Sequence, residues 1–127
     1  MVKLSEPSIE LASRLLHEVG FETRLVGVKM HPMAGNRPTS IYSFEEAAHF
    51  LHMESFEDVI TVGSHSSVGY LELNQLKRWV SEVFGDKELS NEMGKEIEKS
   101  DSYMDTAKTV KRLMRQRLDQ CKEISHA

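Results

Sequence analysis

Residues 63–69 read Gly-Ser-His-Ser-Ser-Val-Gly, and this is the stretch whose residue types could do chemistry. Small residues let backbone N–H groups approach an anion, Ser64, Ser66 and Ser67 add hydroxyl donors, and a following helix would aim its dipole at the same place. His65 brings a ring that titrates near neutrality. An earlier strand delivers His31, Asn36 and Arg37, and Arg37 suits bidentate pairing with a phosphate or carboxylate. In an open α/β sheet, ligands sit beyond the carboxyl ends of the strands. The expected ligand-binding set is therefore His31, Arg37, Ser64, His65 and Ser66, around a small anionic ligand. The plainer alternative is that the serines cap the helix and the glycines make the turn.

The loop lacks the Gly-Lys-[Ser/Thr] ending of a phosphate-binding P-loop and is not a GxGxxG fingerprint. Val62-Gly63-Ser64-His65 followed by Gly69 resembles the nucleotide loop of universal stress proteins over residues 62–69. That family places glycines where Ser66 and Leu76 stand here, and its early aspartate-bearing strand has no counterpart. No function is carried across from it.

Glu45, His49 and His52 fall at i, i+4 and i+7 and share one helical face, the weak candidates for a metal. The spacing is not HExxH, exposed Glu–His pairs on helices are common, and no metal or cofactor is expected. Cys121 is the only cysteine and falls on an apolar helical face, where a thiol behaves as a small hydrophobe. It also leaves no intramolecular disulfide to form. No G-x-S-x-G elbow accompanies the serines. Catalysis, if present, would use His65 as general acid/base.

The other charged feature is near the C-terminus. Residues 108–122 carry Lys108, Lys111, Arg112, Arg115, Arg117 and Lys122 against Asp119 alone. Lys108, Lys111, Arg112 and Arg115 recur at helical spacing, opposite Val110 and Met114. Such a stripe can meet phosphates or an acidic partner. It can also be a solvated face, paired with the acid-rich segment 86–105. The net charge of −4 disfavours a dedicated nucleic-acid binder. The apolar face of the same helix suggests packing across a homo-oligomer.

These groups need elements to position them. The 127 residues make one domain, with an α/β part over 1–98 and an amphipathic C-terminal helix over 99–127. A helix is expected over 5–20, with Ser5 as N-cap and Pro7 in its first turn. A strand follows over 22–30, with a possible short return at 39–42. Ser43 and Glu46 form a capping box for a helix ending near 53–54. A strand over 58–62 would complete a right-handed βαβ unit, its two strands parallel. Leu73, Leu76, Trp79, Val80, Val83 and Phe84 mark a helix ended by Gly85. Asp86 starts another, and Ser100 or Ser102 the last. The fold class is thus α-rich α/β, with a short sheet, one helix before it and three after. No apolar run can span a bilayer and the first residues are not a secretory signal, so a cytoplasmic setting is expected.

Three functions compete: a cytoplasmic binding or regulatory protein with an anion pocket at the strand ends, a small enzyme in the same pocket, and an interaction module acting through the basic helix.

Overall fold

The computed structural model describes residues 3–31, 35–51, 68–99 and 102–126. It is a helix-rich α/β architecture: a short three-stranded sheet with helices before, between and after its strands.

Helix α1 (Ile9–Leu15) starts later than the sequence suggests. Ser8, not Ser5, is its N-cap, with its hydroxyl accepting from the Leu11 N–H at 3.1 Å. Residues 3–7 instead run along the last helix, and Leu4 and Pro7 are buried there. A short 3₁₀ turn (Phe21–Thr23) leads into β1 (Leu25–His31), and β2 (Gly35–Ile41) returns beside it. The short return expected at 39–42 is therefore a full antiparallel partner, running from Leu25 opposite Ile41 to His31 opposite Gly35.

Ser43 caps α2 (Phe44–Phe50), its hydroxyl accepting from the Glu46 N–H at 3.0 Å. β3 is Val68–Tyr70, antiparallel to β1, with Val28 opposite Tyr70. The sheet order β2-β1-β3 puts β1 in the centre. Both edges of β1 at Val28–Met30 are thus taken by antiparallel strands, leaving no place there for the parallel neighbour that a βαβ unit requires. The expected strand 58–62 lies outside the described residues.

Helix α3 (Leu73–Trp79) runs on as a π-helical turn (Val80–Phe84) and ends at Gly85, whose φ of 77° is the left-handed cap a glycine supplies without strain. Helix α4 (Lys87–Lys99) is capped by Asp86, which accepts from the Leu89 N–H at 3.1 Å. The last helix, α5 (Tyr103–His126), has Ser102 at its start.

The helices share one core. Ile41 from β2, Phe44 and Leu51 around α2, Leu76 from α3, Val80 from the π-helical turn, and Met93 from α4 are fully buried. Ala107, Val110, Leu113, Met114, Leu118 and Cys121 of α5 belong to the same cluster. The apolar face of α5 is therefore spent on its own chain. Gly27 sets how close α2 comes to the sheet: a Cβ there would lie 2.6 Å from Phe50 Cε1 and 2.7 Å from Leu71 Cδ2.

Candidate functional site

At the hairpin end of the sheet, Lys29 stands opposite Arg37 and His31 opposite Gly35. Lys29 and Arg37 are both exposed. Like charges on directly opposed residues repel, so this pair costs the hairpin stability unless an anion answers it. The backbone of β1 and β2 thus brings His31 and Arg37 to one end of the sheet. Ser64, His65 and Ser66 lie outside the described residues. β3 begins at Val68, opposite Met30.

The helix expected after the loop begins at Leu73, the first residue of its expected stripe, and β3 stands between it and the loop. Its N-terminus is already answered. The Glu72 carboxylate accepts from the N–H groups of Asn74 at 3.2 Å and Gln75 at 2.7 Å. A carboxylate in that position satisfies both the orphan donors and the dipole, so no free anion is needed.

The candidate metal ligands are engaged otherwise. Glu45 is 3.8 Å from His49 Nε2, but its carboxylate accepts a 2.6 Å bond from the Lys122 ammonium. That bond, ahead of an opposing effect of burial, draws the Glu45 pKa below the usual carboxylate value. An ammonium on the carboxylate is the opposite of what a cation site needs. His52 lies outside the described residues, and among those described no group of three or more His, Cys, Asp or Glu side chains converges. Cys121 is fully buried, and burial pushes its thiol up to about 11. A thiol so raised is no nucleophile at neutral pH.

Among the described residues the basic face of α5 is a cluster of unpaired charge. Lys108, Arg112 and Arg115 are exposed and Lys111 is half-buried. Among the described residues none of the four has an acidic partner. Three of the four carboxylates of the acidic helix are committed elsewhere. Glu92 pairs with Lys95 at 3.0 Å and Glu96 with Lys99 at 3.3 Å, both within α4. Glu88 pairs with Arg117 at 2.8 Å. Burial, and then the charge of Arg115, hold the Lys111 pKa below that of an ordinary lysine.

Arg117 itself plays a different part from its basic neighbours. It is 1% exposed and gives every N–H of its guanidinium to an acceptor. Nε meets Asp86 at 2.8 Å and Nη2 meets both Asp86 (3.4 Å) and Glu88 (2.8 Å). Nη1 meets the Ser5 carbonyl at 2.7 Å and Gln120 Oε1 at 2.9 Å. Counting charges along the sequence groups Arg117 with the stripe. Its spacing gives it away: it sits between Met114 and Cys121, inside the apolar face.

No family model, no curated protein and no solved structure matches this chain.

Proposed function

We propose that the protein is a small non-catalytic binding module whose partner is anionic, and that Lys108, Lys111, Arg112 and Arg115 on α5 form the docking face. One observation carries this reading: these cations lack acidic partners among the described residues, while Glu92, Glu96 and Glu88 of α4 pair with Lys95, Lys99 and Arg117. The cations span about two turns of helix, some 10 Å, the scale of a short acidic peptide segment. The net charge of −4 favours such a segment over nucleic acid, whose whole backbone would meet an acidic protein. The free, buried Cys121 is consistent with a reducing, cytoplasmic setting.

The test is a titration of the full chain with a fluorescent polyglutamate peptide and, separately, with a DNA duplex, at two salt concentrations. The expected result is salt-sensitive peptide binding that falls at least tenfold in a Lys108→Glu, Arg112→Glu, Arg115→Glu variant. Equal binding by that variant, or a preference for the duplex, would count against the reading.

A second reading keeps a small anionic ligand at the hairpin end, with His31 and Arg37 among its contacts. The like-charged pair Lys29–Arg37 favours it. Orthophosphate, nucleotides or organic acids should then raise the thermal midpoint of the wild type and not that of Arg37→Ala, the gain following the ratio of free ligand to Kd.

A further inference from the structure

Residues 3–7 are held by side chains of two helices. They belong to neither helix nor sheet, and side chains take up the polar groups of the Leu4–Ser5 backbone. The Leu4 N–H donates to Gln116 Oε1. The Leu4 carbonyl accepts from Gln120 Nε2 at 2.8 Å. The Ser5 N–H donates to the Glu88 carboxylate at 3.1 Å, and the Ser5 carbonyl accepts from Arg117 Nη1 at 2.7 Å.

The reading groups are themselves fixed. Gln116 and Gln120 are one turn apart on α5, and Gln120 is oriented by Arg117 through its Oε1 at 2.9 Å. Arg117 is oriented by Asp86, with both side chains about 1% exposed. Backbone recognition is thus built into a buried ionic network, and the arm contributes little to that network except its own main chain.

The side chains of the arm divide cleanly. Leu4 is 2% exposed and joins the hydrophobic core, and Pro7 is buried. Lys3, Ser5 and Glu6 face solvent. Main-chain hydrogen bonds supply affinity while pockets for selected side chains supply specificity, as when an extended peptide docks on a protein surface. Proline adds pre-organisation, since its fixed φ lowers the entropy lost on binding.

We infer that the surface formed by Gln116, Arg117, Gln120 and Glu88 is a binding site for an extended peptide of pattern aliphatic-x-x-Pro, occupied in this structure by the chain's own Leu4–Pro7. A partner segment with that pattern displaces the arm and takes over its four main-chain bonds. The site adjoins the Lys108–Arg115 face on α5 but uses none of its four cations, so the two tests read different residues.

The experiment uses the full chain carrying Leu4→Ala and Pro7→Ala, which empties both pockets and leaves the cradle intact. A fluorescein-labelled peptide of residues 3–9 is titrated against it. Saturable binding is expected. It should weaken at least tenfold when the peptide's own leucine is replaced by alanine, and likewise when Gln116→Ala and Gln120→Ala are added to the protein. A peptide with alanine at the two solvent-facing positions 5 and 6 should bind as well as the parent. If the double variant does not fold, the peptide is added during refolding, and recovery of the wild-type circular dichroism spectrum is the supporting result. Absence of saturation, failure of the peptide to restore folding, or binding indifferent to the leucine overturns the proposal.

Discussion

Arg117 Nε lies 2.8 Å from Asp86 Oδ2, with both side chains about 1% exposed. The pair ties the long last helix to the start of α4, where Asp86 also accepts from the Leu89 N–H. Removing one partner leaves a buried charge without its counterion. Arg117→Met should therefore lower the unfolding free energy by about 3–5 kcal/mol, read from urea titration. In a double-mutant cycle with Asp86→Asn, the two losses should fall well short of adding. Simple additivity would mean that the ion pair contributes nothing as a pair.

Acid should loosen the same region. Burial alone would raise the Glu88 pKa, but the hydrogen bonds from Arg117 and Ser5 outweigh it and the net direction is down. A carboxylate lowered in the folded state contributes stability above its unfolded pKa, here near 4.5. That contribution is lost as pH falls through the lower folded value. The urea midpoint should decline below about pH 4.5, and Glu88→Gln should flatten that decline while lowering stability at neutral pH. Glu45, lowered chiefly by Lys122, adds to the fall with the same sign.

Gly27 should resist enlargement. Its missing Cβ is the space that Phe50 and Leu71 occupy. Gly27→Ala forces the sheet and α2 apart and should cost about 1–3 kcal/mol, the usual range for overpacking. Adding Phe50→Leu should recover part of the loss in a thermal melt. Full wild-type stability of Gly27→Ala alone would contradict the packing described.

Neutralising the basic face should do the reverse. Arg115 lies one turn from Lys111 and is a cause of its lowered pKa. Like charges at this spacing repel by about 0.2–0.5 kcal/mol, so Arg115→Gln should raise the thermal midpoint slightly at low salt and not at high salt. A variant that gains stability while losing polyglutamate binding would mark the stripe as kept for a partner rather than for the fold.

Cys121 should be silent in the native state. With its thiol pushed up to about 11 and no exposed surface, it should react with a disulfide reagent only at the rate of unfolding. Labelling in rising urea should follow the loss of helical circular dichroism.

What could be read from the sequence was local. Ser43 before Glu46, Gly85 after the Leu73–Phe84 stripe and Asp86 before Leu89 each act through neighbours a few residues away, and each stands where expected. What escaped was decided by distant partners. Ser5 looked like an N-cap, but its backbone is claimed by Glu88 and Arg117, which leaves Ser8 to cap α1. Val68–Tyr70 does not read as a strand, but Met30 and Val28 offer it a sheet edge, while the helix begins at Leu73, the first residue of the expected stripe. The candidate site divided the same way. The Lys108–Arg115 stripe follows from helical periodicity, whereas the surface that holds Leu4 and Ser5 exists because Asp86 and Glu88 at the start of α4 meet Arg117 of α5.

The clasp between Leu4 and the last helix also sets an order of assembly. Leu4 must wait for Gln116 and Gln120, which lie 112 and 116 positions further along. At ordinary rates of translation that interval is on the order of ten seconds. For that time the arm emerges with no surface to hold it, and Leu4 and Pro7 stay exposed to whatever is near the ribosome. The arm is made well before the surface on which it docks. Its docking requires that Gln116 and Gln120 of α5 have already been made and folded.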